Sequence, residues 1–292
     1  MLREKDMDKH YEASEAIKKL RIPRSTFFAL VRAGEIPKVE LPLRKRALYP
    51  KEEIDRLAAE RAEVLHKLKQ NPERLRFMIA SKEDFRQIAE IDRMLFQEET
   101  WMSPEELQER LPYNPEVTHV LKDLGTSTVL GYISMSPMKQ DTLEKLVKLE
   151  IDETCTKPQD FTAYTPDHPL DCYIISMAAR PGIMQHYYAG KLIYTCKDYF
   201  IGLLERGITI RRIYTIATTK EADRIAKSLH FTPLATTNEW ESQYEDFRHP
   251  YVLDLETKES KSRLVSEYLT HKRNIERRKK RHKKEQKTNR GE

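Results

Sequence analysis

The run from Cys172 to Ala179 (CYIISMAA) constrains this chain more than any other segment. A strand that does not alternate apolar with polar residues has to be covered on both faces. It therefore belongs at the centre of a sheet with helices on each side. Arg180, Pro181 and Gly182 end the run, and a helical pattern extends from Lys191 to Glu205 and stops at Gly207. Strand, loop and helix N-terminus in that order converge main-chain N–H groups on the positive end of a helix dipole. That arrangement suits a phosphate-bearing ligand.

The elements around this run alternate in type. Leu75 to Ala80 reads as a short strand, and Glu83 to Phe96 sets Phe85, Ile88, Ile91 and Leu95 on one helical side. Ser103-Pro104-Glu105-Glu106 opens another helix: serine caps it, proline suits the first turn, and the acids meet the positive dipole end. Val117 to Lys122 and Thr128 to Met135 read as a strand pair turning at Gly125, and Arg212 to Ala217 and Tyr251 to Leu255 as later strands. The body is thus a mixed α/β (α+β) sheet. Its one long insert, Pro137 to Asp171, is of the length that carries function more often than a plain connection does.

The N-terminal segment follows a different plan. Ala13, Ala16, Ile17 and Leu20 share one helical face, Arg21-Ile22-Pro23 breaks the helix, and a second helix starts at Arg24 or Ser25. Phe27, Phe28, Leu30 and Val31 point inward from it, and Gly34 stands at the left-handed capping position. Two such helices need a third element, which starts at Pro50. Lys51 to Gln70 carries Ile54, Leu57, Ala58, Leu65 and Leu68 near heptad spacing, interrupted at Arg61 and Ala62. That stripe fits a linker helix or a short dimer-forming coiled coil. Pro37 to Tyr49 is extended and contains the basic Arg44-Lys45-Arg46.

Charge separates the ends from the middle. Residues 1–70 hold 17 basic and 12 acidic side chains, residues 271–292 hold 11 and 3, and the chain between them is net −8. Basic ends fit a polyanion such as nucleic acid, which the acidic body would repel. Lys272 to Lys287 lacks an apolar stripe and reads as a flexible tail that either adds phosphate contacts or only solubilises. Cys155, Cys172 and Cys196 form no C-x-x-C pair, and the nine histidines lack metal-ligand spacing. A reducing cytoplasm is therefore expected, and no metal site. No apolar stretch nears the roughly 20 residues of a membrane helix.

Two resemblances follow. The first sixty residues resemble the winged helix-turn-helix of the excisionase and MerR-like group, through Ala13 to Ala16, Ile22 to Phe27, Leu30 to Pro37 and Arg44 to Tyr49. This implies a second helix in a DNA major groove, with Arg24, Ser25, Thr26 and Arg32 on bases or phosphates. Arg44, Lys45 and Arg46 would lie on the backbone. From Leu75 to Leu255 the chain resembles the GNAT family of N-acetyltransferases. Its pyrophosphate-loop pattern Q/R-x-x-G-x-G/A falls on Gln185, Tyr188 in place of the first glycine, and Gly190. Its later N-x-x-A…Y-x-x-L-G-F segment falls on Thr219 to Phe231, with Thr219 for asparagine, Ala226 for tyrosine and His230 for glycine.

The second resemblance implies an acyl-CoA N-acyltransferase-like fold and transfer of an acetyl group from acetyl-CoA to an amine on a small molecule or protein. Met177, Ala178 and Ala179 would hold the cofactor through main chain, with Gln185, His186, Tyr188, Ala189, Gly190 and Lys191. The family's tyrosine acid is missing at Ala226, and Tyr187 stands nearest to replace it, beside His186, Tyr188 and Cys196. Asp167 and His168 of the insert, with Asp171, are the candidates to meet or deprotonate the amine. The alternative is a DNA-binding regulator whose second domain senses a ligand or dimerises without turnover. The expected domains are 1–50 (winged helix-turn-helix), 51–72 (linker helix), 73–256 (acyltransferase-like) and 257–292 (basic tail).

Overall fold

A computed structural model describes residues 8–40, 46–96, 102–234 and 248–289, with side chains of the last helix to 281. The N-terminal elements are β1 (His10–Tyr11), α1 (Ala13–Leu20), α2 (Arg24–Arg32), β2 (Tyr49–Pro50) and α3 (Lys51–Gln70). Arg21 takes a left-handed φ of 53° at the end of α1, and Pro23 opens α2 in extended conformation. Ala16, Leu20, Ile22, Phe27, Leu30, Ile36, Tyr49 and Ile54 form one small core. Val39 and Leu48 exchange main-chain hydrogen bonds of 2.8 and 2.9 Å, so the extended stretch closes as a hairpin at its base.

Helix α3 belongs to two cores at once. Leu57 and Ala58 pack on the N-terminal core, while Val64, Leu65 and Leu68 pack on the main one. The stripe anticipated as a coiled-coil seam is thus spent within the chain. Arg61 stands between the two sets, where its Nε is closed off from solvent and has no hydrogen-bond partner among the described residues.

The body continues with β3 (Leu75–Ile79), α4 (Asp84–Leu95), α5 (Pro104–Glu109), β4 (Thr118–Asp123), β5 (Thr128–Pro137), α6 (Gln140–Val147) and β6 (Leu170–Ala179). After it come α7 (Gln185–Glu205), β7 (Ile210–Ala217), α8 (Lys220–Ser228), β8 (Thr232–Pro233), β9 (His249–Asp254) and α9 (Arg263–Asn289). The sheet order is β3-β4-β5-β6-β7-β9-β8, and every neighbour pair is antiparallel except β6–β7. A parallel pair needs a crossover, and α7 supplies it. Leu192, Cys196, Phe200, Leu203 and Leu204 of α7 cover one face over Leu121, Ile133, Met135, Cys172 and Ile213. On the other face Phe85, Ile88, Ile91 and Leu107 of α4 and α5 cover Val120, Val129, Tyr132 and Ala178. The run read as a central strand is central for that reason.

Two segments depart from the sequence reading. The pyrophosphate loop expected from Gln185 to Gly190 is helical, because the chain breakers Pro181 and Gly182 lie before it and Gly190 alone cannot stop a helix. The basic tail is not free from residue 257. Val265 and Tyr268 are buried in the main core, and the Ile210 N–H donates to Tyr268 Oη at 2.7 Å. Leu264, Leu269 and Ile275 add to the face that starts α9. Among the described residues no helix is long and apolar enough to cross a membrane.

Candidate functional site

The site is built where β6 and β7 part. They pair in parallel from Leu170↔Ile210 to Ile174↔Thr215, and there the pairing ends. β6 runs on to Ala179 bonded only to β5, and β7 runs on to Ala217 bonded to β9. On the side of β7, the main-chain edge from Ile175 to Ala179 therefore has no strand against it among the described residues, and Ala179 O accepts from Gln185 Nε2 at 3.3 Å. Ile174 to Met177 are half-buried although they lie on a central strand. Main-chain N–H and C=O groups in such a position need partners. An extended ligand carrying amides fits that requirement.

A bulge turns the side chains at the parting. Met135 pairs Ile174 and Ser134 pairs Ser176, so Ile175 has no residue opposite it. Strict alternation would put Ser176 on the α7 face with Cys172 and Ile174. The extra residue resets the alternation, and Ser176 joins Tyr132 and Ala178 on the α4–α5 face. Its Oγ lies 2.8 Å from Tyr132 Oη, and Tyr132 in turn donates to Asp92 of α4. Asp92 is 5 % exposed, and burial pushes its carboxyl up to about 6 despite the hydrogen bond from Tyr132.

At the top of the parting, Arg180 to Met184 form the loop. Gly182 takes φ +122°, a conformation that side-chain-bearing residues resist, so it is the glycine this loop requires. The Arg180 N–H bonds Leu130 O and the Arg180 Nε bonds Val129 O, both at 2.9 Å, which fixes the loop to β5. Helix α7 then starts without a side-chain cap. The Gln185 N–H is taken by Gly182 O, and the His186 and Tyr187 N–H groups have no acceptor among the described residues. Ile183 packs against both the main and the N-terminal core, and Glu35 Oε2 lies 3.8 Å from where a Cβ on Gly182 would stand. The N-terminal module thus abuts the loop.

The residues singled out in the sequence fall into three groups. Gln185 meets Ala179, its Nε2 donating to Ala179 O at 3.3 Å, while Met177 and Ala178 lie at the end of β6 and His186 in the first turn of α7. Tyr188, Ala189, Gly190 and Lys191 lie beyond the first turn of α7, so their N–H groups belong to the helix ladder; that of Tyr188 bonds Met184 O at 3.0 Å. Tyr188 packs on the main core without a positive φ, and its ring meets Tyr187 edge-on at 6.0 Å. Asp167 and His168 are exposed and precede β6 at its paired end, the opposite end from the parting. The structure does not bring them to Tyr187. Asp171 is held by Arg211 at 3.0 and 2.6 Å. Cys196 faces Met135 Sδ at 3.8 Å in the core, where burial drives its thiol pKa upward, so it is no nucleophile.

The segment after β7, which resembles a family pattern in sequence, forms a capped helix. Thr219 caps α8 through Ala222 N–H at 3.1 Å, and His230 adopts φ 62° where the family has glycine. Ala226 is buried and offers no hydroxyl. What the sequence reading missed is the set Ser176, Tyr132 and Asp92, in which Tyr132 lies 40 residues from Asp92 and 44 from Ser176. A shallow depression of about 420 Å3 lined by Asn71, Arg74, Arg76, Leu124 and Gly125 lies at the β3 edge, away from the parting. No group of three or more potential metal ligands is found among the described residues.

In the N-terminal module Arg24, Ser25 and Arg32 are exposed along α2 and Thr26 is half-buried. The Arg24 guanidinium sits 5.0 Å from the Phe28 ring centroid. Arg46 is exposed, and Arg44 and Lys45 fall outside the described residues.

No family model matches the chain, and no curated protein matches it in sequence. Solved structures similar to it include Ard1 from Thermoplasma volcanium, at 13% identity and a TM-score of 0.41, covering 62% of this chain and 97% of that one. Arabidopsis thaliana NAA60 in complex with acetyl-CoA gives 15% identity and 0.40, over 63% of this chain and 99% of that one. The ribosomal-protein-S18-alanine N-acetyltransferase from Escherichia coli gives 12% and 0.39, over 64% and 97%. Likeness at these values is in chain path alone, and the chemistry proposed for this chain rests on its own geometry.

Proposed function

We propose that the body is a GNAT-like acyl-CoA N-acyltransferase and that the N-terminal module is a winged helix-turn-helix that binds DNA. The observation that carries the first part is the main-chain edge of Ile175 to Ala179, unpaired on the side of β7 and leading to the start of α7. That edge would hold the amide-bearing arm of acetyl-CoA as an added strand holds to a sheet. The His186 and Tyr187 N–H groups and the dipole of α7 would hold its diphosphate. Acetyl-CoA would supply a thioester for attack by an amine. A β6 N–H directed at the thioester oxygen would stabilise the charge that develops there. Gly182 lets the loop turn without a side chain in the way of the phosphates.

The test is calorimetric titration of acetyl-CoA into the full chain, with thermal unfolding beside it. At a hundredfold excess over Kd, ligand binding stabilises the folded state by about 2.7 kcal/mol. Absence of both heat and a melting shift at millimolar acetyl-CoA would overturn the reading. A second reading, ligand sensing without turnover, is favoured by the buried Ala226 standing where the family has its acid. Binding without thiol release would select it.

For the N-terminal module, the support is the exposed line Arg24, Ser25, Arg32 on one helix, with Arg46 also exposed. Affinity for duplex DNA is then expected to fall steeply with salt, each lost phosphate contact flattening the log–log slope by about 0.9. Arg24→Ala with Arg32→Ala should flatten it. Removal of residues from His271 onward should do so again, without loss of the buried Val265 and Tyr268. A slope unchanged by both changes would refute these contacts.

A further inference from the structure

A tyrosine hydroxyl has one proton to give. Tyr132 gives it to Asp92, so the 2.8 Å contact with Ser176 has to run from the Ser176 hydroxyl to Tyr132 Oη. The three groups therefore donate in one direction, Ser176 to Tyr132 to Asp92, from the open edge of β6 to a carboxylate buried under α4. Ser176 is half-buried and Asp92 is buried, so the outer end of the chain has access to solvent while the inner end is closed. The bulge at Ile175 is what aims Ser176 this way. Neighbouring carboxylates of α4 are bound elsewhere: Asp84 takes Lys122 and Ser81, and Glu90 lies 3.8 Å from Arg180. Among the described residues, the groups that face Asp92 are Tyr132 from β5 and the Met102 N–H from the approach to α5.

We infer that Ser176, Tyr132 and Asp92 form a proton relay that deprotonates an amine attacking an acyl thioester laid along β6. The inference rests on the acyltransferase reading. An acceptor ammonium loses two protons in the reaction. The first passes to Ser176 Oγ as the Ser176 proton moves to Tyr132 and the Tyr132 proton moves to Asp92. The C–N bond then forms, the C–S bond breaks, and the thiolate leaves as a thiol carrying the second proton. Asp92 returns its proton to solvent along the same chain. A carboxyl raised to about 6 accepts a proton far more readily near neutral pH than an ordinary aspartate does.

Ser176→Ala and Tyr132→Phe remove only hydroxyls, which keeps the fold measurable, and Asp92→Asn is the third variant. Three readouts are taken on the full chain. Acetyl-CoA heat should be unchanged in Ser176→Ala and Tyr132→Phe. Thiol release with a mixture of a polyamine, an arylalkylamine and a lysyl peptide should fall by about 10²-fold. The wild-type rate should decline below about pH 6, and this limb should vanish in Asp92→Asn. Retained rate and an unmoved acidic limb in all three variants would overturn the relay.

If wild type binds no acetyl-CoA, the acyltransferase reading fails first. If it binds but turns over none of the three amines, the relay is still read by carboxyl carbon NMR of Asp92. Its titration should lie near 6 and move upward in Tyr132→Phe, because the hydrogen bond from Tyr132 lowers it. A midpoint that ignores the substitution refutes the relay.

Discussion

The two halves of β6 come from one apolar run and do different work. Beside each half a tyrosine, Tyr173 of β6 itself or Tyr132 of the neighbouring β5, is set against a carboxylate whose pKa burial raises. In the paired half, Tyr173 is 1 % exposed and donates to Glu153 of the insert. Burial raises that carboxyl to about 7, while Arg110 and Arg248 pull the other way. In the open half, Tyr132 donates to Asp92 and receives from Ser176. The carboxylates are alike, but only the second is connected to an unpaired edge. A buried acid–tyrosine pair is a staple when the sheet closes over it. Where the strands part, the same pair becomes a route for a proton.

The comparison breaks most sharply on a matched pair of substitutions. Tyr132→Phe should lower acyl transfer by about 10²-fold, whereas Tyr173→Phe should leave the rate within about twofold and cost about 1–3 kcal/mol of stability. Equal rate losses from both would erase the distinction drawn between the halves.

The pH dependence of stability sharpens it next. Asp92 and Glu153 both bind protons more tightly folded than unfolded. Their contribution is full below about pH 4 and is lost as pH rises through about 6 and about 7. His119 opposes them. It is buried between Phe77 and Tyr199 with neither ring nitrogen hydrogen-bonded among the described residues, and burial lowers it from 6.5 to about 4. Its neutral form is favoured in the fold, so its contribution is present above pH 6.5 and is lost as pH falls toward 4, by about 3 kcal/mol in all. The stability of wild type in urea unfolding, less that of His119→Phe, should therefore rise between pH 4 and 6.5. A difference that does not change over that range contradicts the assignment.

The smallest effect is expected at the closed end. Arg211 is partly exposed beside the buried Asp171, and Arg211→Ala should cost about 1 kcal/mol while leaving acetyl-CoA affinity unchanged. A change in affinity would mean that the paired half shares in binding.

Periodicity made the central strand, the amphipathic α4 and the capped α5 legible. The Ser103 cap and its reciprocal Glu106 contact are present as read, at 3.2 and 2.7 Å. The start of α7 was misjudged because a family pattern was followed across Gln185 to Gly190, although Pro181 and Gly182 were the residues able to stop a helix. The core face of α9 was hidden by the lysines and arginines around Val265 and Tyr268. The relay could not be read at all. Alternation assigns Ser176 to the wrong face, and only the bulge, a property of the pairing with β5, corrects it. Asp92 looked like one more charge on an amphipathic helix, though it lies on the buried side with Ile88 and Ile91.

Hydrogen exchange with and without acetyl-CoA tests the central claim on both halves at once. The amides between Ile175 and Ala179 that point toward β7, and those of His186 and Tyr187, should slow by about tenfold or more on binding, while the alternate amides bonded to β5 and those of Leu170 to Ile174, already paired, should not change. Protection confined to other segments, or none along Ile175 to Ala179 while acetyl-CoA is bound, would contradict the account.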